Sequence, residues 1–381
     1  MRISVVKETQ AGERRVALAP EGVQKLTALG YAVMTEPGAG LRADISDEEY
    51  AAAGADPTGE RLENADLVVS VQPLRVDQIR RLRRGAATVS FLPIAQSLEQ
   101  VRDLRDCAVT AFALELVPRI SRAQSMDALS SQALVGGYRC AIVAAGMLRR
   151  FFPLNMTAAG TVPPAEVVVL GAGVAGLQAI ATARRLGAVV KAYDVRAAAA
   201  EEIRSVGAQA IDLELDTLEG AGGYAREMTE ERAELQRERL SPHIAAADAL
   251  ITTAAVPGRT APLLVTRGMV EQMRPGSVVV DLAAESGGNV EGSVAGDVVR
   301  VGAAQVWGGA NVPSQMPGPA SRLLSTNIVN LVTLMTSSAD ADDEAGVFAP
   351  DFDDEVVAGS CVVHDGVVRH EPTQRLLESE D

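Results

Sequence analysis

Histidine and cysteine are scarce in this 381-residue chain, which has three of each. The histidines are His243, His364 and His370, so no residue before position 243 can supply an imidazole. This excludes histidine catalysis in that stretch, together with zinc sites built from clustered histidine and cysteine. The cysteines lie far apart without metal-ligand spacing, which indicates small buried hydrophobic residues. We therefore predict no metal site.

Basic charge and long apolar runs are scarce as well. Thirty-five basic residues against fifty acidic ones leave a formal net charge of −15, which argues against nucleic acid and anionic lipid as partners. The longest uncharged stretch, residues 301–321, contains four glycines and three prolines. A spanning helix needs roughly 20 mainly apolar residues, so this stretch is a poor candidate. The first residues form a strand-like run without a basic and apolar leader, which predicts a cytoplasmic location.

The sequence does contain a repeated alternation of short β-branched runs and helical patterns. Strands are predicted at residues 3–6, 32–36, 67–71, 87–92 and 109–114, and again at 166–170, 189–193, 249–252, 277–281 and 305–307. Helices are predicted at residues 20–29, 47–53, 76–83, 97–105 and, with a Gly-Gly interruption, in 130–153. This alternation indicates parallel βαβ units and hence an α/β fold. We predict two domains, residues 1–129 with 319–381 and residues 130–318.

Two segments depart from the alternation. Residues 220–241 are a highly charged insertion, which fits either a polar helix or a mobile loop. Residues 355–361 and 362–368 flank His364-Asp365-Gly366 and are predicted to form a β-hairpin.

A glycine-rich turn, Gly171-Ala-Gly173-Val-Ala-Gly176, follows the strand at 166–170. Gly171 permits the tight turn, Gly173 lets the backbone approach a pyrophosphate, and Gly176 lets the following helix pack closely. The first helical amides, at Val174 and Ala175, then face the phosphate. The sequence therefore predicts two Rossmann-like domains with a cleft between them, of which the second binds a dinucleotide.

Asp194 ends the next predicted strand, where a carboxylate accepts the hydroxyls of the adenosine ribose. Its charge would repel a 2′-phosphate, which favours NAD(H) over NADP(H). Arg196 keeps the second nucleotide open, because a nearby arginine can accommodate that phosphate.

Four further segments are distinctive, at residues 13–20, 119–132, 158–164 and 222–228. Together they resemble the NAD(H)-binding component of proton-translocating nicotinamide nucleotide transhydrogenase. The resemblance extends from Met1 to residues 356–370. The same family contains alanine dehydrogenase.

The resemblance implies which residues bind the nucleotide. Arg119 and Asp127 would position the nicotinamide and its carboxamide, Gln124 would lie between this ring and an NADP(H) ring on a partner, and Ser130 completes the implied catalytic set. The other implied contacts are Ile120, Ser121, Ser125, Met126, Val195, Gly223, Tyr224, Gln236 and Ala255, with Tyr224 on a mobile loop. From chemistry alone, Ser130 could instead cap a helix, and Arg119 and Asp127 could form a surface ion pair.

The resemblance also implies partners and a reaction. Hydride would pass reversibly between NADH and NADP⁺, with NADP(H) held by a β subunit and proton translocation carried by a membrane subunit. The chain would form a homodimer and lie on the cytoplasmic face of the inner membrane through these partners.

Two other functions stay open. Alanine dehydrogenases place a catalytic lysine after the strand corresponding to 67–71 and a histidine after that corresponding to 87–92, where this sequence has Gln72 and Pro93. Amino-acid oxidation requires proton transfer that neither residue can perform. A sensor that binds NAD without chemistry is the third hypothesis.

Overall fold

The structure is a computed structural model that describes residues 1–57, 62–215, 229–256, 258–337 and 346–380. It divides into two compact units, Met1–Gln132 with Ser314–Asp381, and Ala133–Pro313.

The helices and strands follow one another along the chain as the sequence alternation predicts. The helices are α1 (Pro20–Ala28), α2 (Asp47–Ala52), α3 (Val76–Ile79), α4 (Leu98–Asp106), α5 (Ala128–Met147), α6 (Val174–Arg185), α7 (Ala199–Ser205), α8 (Glu230–Ala246), α9 (Arg267–Glu271), α10 (Pro317–Leu334), α11 (Glu355–Ser360) and α12 (Glu371–Glu380). The strands are β1 (Arg2–Val5), β2 (Ala32–Thr35), β3 (Leu67–Val69), β4 (Ala87–Ser90), β5 (Thr110–Ala113), β6 (Asn155–Thr157), β7 (Gly160–Val162), β8 (Glu166–Leu170), β9 (Val189–Tyr193), β10 (Gln209–Ala210), β11 (Ala249–Thr252), β12 (Val278–Asp281), β13 (Val298–Val301), β14 (Ala304–Gly308), β15 (Thr336–Ser337), β16 (Val347–Phe348), β17 (Cys361–His364) and β18 (Val367–Val368).

The first unit is built on a seven-stranded sheet of order β18-β17-β5-β4-β3-β1-β2. Strands β1 to β5 run parallel, whereas β17 and β18 add to the edge in antiparallel fashion. Leu67 and Val69 of β3 pack in one hydrophobic core and Val68 in another, on the opposite face of the sheet. A parallel sheet covered on both faces requires such continuous apolar strands.

The second unit carries a sheet of order β10-β9-β8-β11-β12-β14-β13, parallel except for β13. The chain moves outward from β8 through β9 and β10, then returns to the other side of β8 with β11. This reversal is the strand order of dinucleotide-binding folds, and it places the carboxyl end of β8 at the switch point where ligands bind. The predicted α/β fold with two mostly parallel sheets is confirmed.

One predicted strand is wrong. Residues 355–360 form α11, because the Asp354 carboxylate accepts hydrogen bonds from the amides of Val356 (2.7 Å) and Val357 (3.3 Å). Such an N-cap stabilises a helix start even where β-branched residues follow. The hairpin itself lies further on, between β17 and β18, and turns at Asp365 and Gly366. Both turn residues have positive φ, as a two-residue hairpin turn requires.

The charged insertion is described only in its second part. Residues 216–228 lie outside the described residues, and α8 begins at Glu230 after Thr229, whose side chain accepts from the amide of Arg232. Within the described part of the chain, no helix is both long and apolar enough to cross a bilayer.

Candidate active site

The glycine turn connects β8 to α6 at the carboxyl edge of the second sheet. Gly171 has φ of +93°, which a side chain would strain, and a Cβ on Gly176 would overlap the carbonyl oxygen of Gly171. A Cβ on Gly173, by contrast, would meet no atom within 4 Å, so this backbone stays open to a ligand. The first amides of α6 have no partner within the helix. The turn therefore has the shape and the positive helix end that a pyrophosphate needs.

Asp194 connects the end of β9 to this turn. Its Oδ2 accepts from the amide of Ala172 at 2.7 Å, and its Oδ1 accepts from the amide of Arg196 at 2.9 Å. The guanidinium of Arg196 pairs with the same carboxylate, with Nε 3.0 Å from Oδ1. Asp194 therefore holds the glycine turn in shape, in addition to lying where the ribose contact is predicted.

Arg196 is itself held by several acceptors. It donates from a terminal guanidinium nitrogen to the carbonyl oxygen of Ala172 at 3.0 Å and lies 3.5 Å from a carboxylate oxygen of Glu202. Burial lowers the pKa of Arg196, but the hydrogen bond and charge of Asp194 outweigh it, so the pKa is raised overall. The guanidinium consequently neutralises the carboxylate predicted to exclude a 2′-phosphate. Val195 lies half-buried between these two residues.

The loop after β11 lies against the glycine turn. Thr253 donates from its hydroxyl to the carbonyl oxygen of Gly171 at 3.1 Å. Asn289, which is fully buried, accepts from the amide of Ala254 at 3.0 Å and donates to its carbonyl at 2.8 Å. Ala255 follows in this loop and is exposed. Sequence reasoning missed Thr253 and Asn289. For Asn289, its place directly after a Gly-Gly pair was the available signal.

The loop from Arg119 to Ser130 lies in the first unit. Its residues Ser121–Met126 form a 3₁₀ helix that leads into α5, and the Arg119 and Gln124 side chains are exposed. The Asp127 carboxylate accepts from the amide of Ser130 at 2.8 Å and from its hydroxyl at 2.6 Å. Asp127 is therefore the helix cap, and the alternative in which Ser130 caps the helix is wrong.

Buried residues anchor this loop. Met126 packs in the main core of the unit and Ile120 packs against it. Arg122 donates to both carboxylate oxygens of Asp354, at 2.8 and 3.0 Å. Ser121 and Ser125 are exposed.

The remaining predicted nucleotide contacts are not brought to this region by the described structure. Gly223 and Tyr224 lie outside the described residues. Gln236 lies on α8 with only 1% exposure, and its Oε1 accepts from the hydroxyl of Tyr193 at 3.1 Å. A nucleotide contact by Gln236 would require α8 to move, and this contact stays a prediction.

Sequence profiles of two domains match almost the whole chain. Residues 4–136 match the alanine dehydrogenase/PNT N-terminal domain, and residues 140–371 match the alanine dehydrogenase/PNT C-terminal domain. The chain belongs to the alanine dehydrogenase/PNT family.

Both branches of the alanine dehydrogenase/PNT family contain similar proteins. An NAD(P) transhydrogenase alpha subunit of Rhodospirillum rubrum is 45% identical over 97% of this chain and 98% of its own length. The crystal structure of transhydrogenase from Sinorhizobium meliloti has a TM-score of 0.84 and 42% identity, and covers 98% of this chain and 100% of that one. Alanine dehydrogenase of Mycobacterium tuberculosis is 34% identical over 77% of this chain and 75% of its own. The resemblance expected from the motifs is confirmed.

A buried polar cluster lies where the alanine dehydrogenase resemblance places the catalytic lysine. The Gln72 side-chain amide donates to Glu13 at 2.7 Å, and Arg15 donates to Glu13 from Nε at 2.8 Å. Burial raises the pKa of Glu13, but the hydrogen bond and charge of Arg15 outweigh it and lower the pKa to about 2. Glu13 is therefore a permanent carboxylate that occupies the donors of both neighbours.

Glu8 is the ionisable group next to Gln72 whose charge changes near neutrality. Burial raises its pKa to about 7, against the opposing hydrogen bond from the Val71 amide, 2.6 Å from its Oε1. Pro93, at the second catalytic position of alanine dehydrogenases, has no proton to transfer. Within the described ranges, no group of three or more histidine, cysteine, aspartate or glutamate side chains is arranged to hold a metal ion.

Proposed function

We propose that the chain is the NAD(H)-binding subunit of a proton-translocating transhydrogenase. Hydride passes reversibly between NADH on this chain and NADP⁺ on a β subunit, and a membrane subunit carries the coupled proton movement. The observation that carries this proposal is the engagement of Gln72 by Glu13, because it leaves an amide, already bonded, where amino-acid oxidation needs an acid or base. Hydride transfer between two nicotinamides releases no substrate proton and needs no such group.

The residues of this chain act by binding and positioning. The glycine turn presents the open backbone at Gly173 and the amide end of α6 to the pyrophosphate. Asp194 keeps the turn in shape and accepts from the ribose once Arg196 releases one of its oxygens. When bound, NAD(H) supplies the hydride chemistry.

The loop from Arg119 to Ser130 addresses the nicotinamide ring in this proposal. Asp127 and Ser130 are fixed to each other by two hydrogen bonds, so they act as one unit toward the carboxamide. The Gln124 side chain is exposed and forms no hydrogen bond to the described residues, so it is available to the ring on the partner subunit. The rate then comes from holding two rings close together. Homodimer formation and location at the inner membrane through the partners belong to the same proposal.

The test is reconstitution. We expect the purified chain to bind NADH but transfer hydride slowly to an NADP⁺ analogue, and the rate to rise steeply when the NADP(H)-binding component is added. Binding without any transfer in the complete mixture would favour the NAD sensor. Production of NADH from alanine would favour an alanine dehydrogenase.

A further inference from the structure

Two asparagine side chains converge on one backbone carbonyl next to Gln124. The carbonyl oxygen of Ser125 accepts from the side-chain amides of Asn327, at 2.9 Å, and Asn330, at 3.0 Å. Both asparagines belong to α10 and lie three residues apart, hence on the same face of that helix. We call this pair the asparagine clamp. It engages both lone pairs of the carbonyl, which fixes the peptide group in two directions.

Asn327 also holds the segment on the other side of the loop. Its Oδ1 accepts from the Ser131 hydroxyl at 2.7 Å, in the first turn of α5. One buried amide, 6% exposed, thus connects the 3₁₀ helix before Asp127 to the helix that follows it. A buried amide with both ends bonded defines its neighbours closely, because no other arrangement satisfies all its donors and acceptors.

The helix that carries the clamp is a rigid base. Leu324, Ile328 and Leu331 of α10 are fully buried in the main core of the first unit. The loop backbone is therefore mounted on the core, while the Gln124 side chain remains exposed. Fixing the backbone and leaving one side chain available is the arrangement of a preorganised contact.

We propose that Asn327 and Asn330 are positioning residues, which hold the loop so that Gln124 meets the second nicotinamide in the correct place. The inference rests on the proposed function, because it gives Gln124 its partner ring. Its physical basis is the sensitivity of reaction rate to geometry, in which a displacement of about 1 Å costs on the order of a hundredfold.

The experiment compares Asn330→Leu and Asn327→Leu with Thr326→Ala in the full chain. Thr326 is the matched control, since it is exposed on the same helix and its hydroxyl donates only to the carbonyl of Arg322. At saturating nucleotide with the NADP(H)-binding component, we expect Asn330→Leu to slow hydride transfer about fivefold and Asn327→Leu about thirtyfold. The dissociation constant for NADH should change less than about twofold in either variant. Thr326→Ala should change neither quantity.

A double-mutant cycle with Gln124→Asn identifies the route of the effect. If the clamp acts through Gln124, Asn330→Leu costs much less once Gln124 is already shortened. Equal costs in both backgrounds would overturn the inference. Asn330 is only half-buried, so this arm decides the matter even if Asn327→Leu does not fold.

Hydrogen exchange supplies a readout that does not depend on activity. The amides of Ala123 and Asp127 are bonded to the carbonyls of Ile120 and Gln124, at 3.0 and 3.3 Å. Both should exchange faster in the clamp variants and at the unmutated rate in Thr326→Ala. Unchanged exchange and transfer in the clamp variants would overturn this inference alone. Absence of transfer by the unmutated protein would overturn the proposed function, and the inference with it.

Discussion

Nucleotide choice can be shifted in opposite directions by two neighbouring substitutions. In the structure, the Asp194 charge is neutralised by Arg196 at 3.0 Å, and the carboxylate also bonds the amide of Ala172. Asp194→Asn removes the charge but keeps an oxygen for Ala172, so the glycine turn should survive. Arg196→Ala exposes the negative charge and removes the cation predicted to accommodate a 2′-phosphate.

The size of the effect follows from charge interactions. Two unit charges 4 Å apart interact by about 4 kcal/mol at an effective dielectric constant of 20, and solvent exposure reduces this. A tenfold change in affinity is about 1.4 kcal/mol, which is well within this range. We therefore expect the unmutated chain to bind NADH at least about tenfold more tightly than NADPH. Asp194→Asn should lower that ratio about tenfold, and Arg196→Ala should raise it by a similar factor.

Calorimetric titration of each variant with NADH and NADPH measures both ratios. NADH affinity itself should fall in Asp194→Asn, because a neutral amide is a weaker acceptor for the ribose hydroxyls than a carboxylate. Equal affinity of the unmutated chain for both nucleotides would refute the reasoning. A ratio that moves in the same direction in both variants would also refute it.

Three further changes test other aspects of the account. Gln124→Asn keeps the amide but shortens the side chain, so transfer in the reconstituted complex should fall about a hundredfold while NADH affinity, measured by fluorescence, changes little; weak binding with normal transfer at saturation would contradict this. The unmutated chain, incubated with NAD⁺ and alanine at alkaline pH, should produce no NADH by absorbance, because Gln72 is bound to Glu13 and Pro93 cannot move a proton. The pKa of Glu8 is raised from 4.5 to about 7, so its ionisation costs native stability on the order of 3 kcal/mol, lost as pH rises through about 7. Glu8→Gln should therefore unfold at higher urea concentration than the unmutated chain at pH 8 but not at pH 4, and parallel pH profiles would contradict the assignment.

Local patterns predict the features of the molecule that depend on local physics. The glycine turn depends on six consecutive residues, and each strand depends on a short apolar run, so both are readable from the sequence. The β-branched pattern of residues 355–360 predicts a strand only when the preceding Asp354 cap is ignored. Ser130 looks like a cap for the converse reason, since Asp127, three residues earlier, takes that place.

The buried polar contacts cannot be predicted in this way. Glu13 bonds Gln72, 59 residues away, and Ser314, 301 residues away. The clamp joins Ser125 to Asn327 across 202 residues. No periodicity or spacing relates such partners, because only the packing of α10 against the loop brings Ser125 and Asn327 together.

Direct transfer of hydride between two nicotinamides is the central claim, and isotope labelling tests it most directly. NADH deuterated at the reactive position of its ring is mixed with the chain, the NADP(H)-binding component and NADP⁺, and the reduced product is analysed by mass spectrometry. The account predicts that the deuterium is recovered on NADPH, because no residue at positions 72 or 93 can exchange it with solvent. Loss of the label to water, or no NADPH in the complete mixture, would contradict the account.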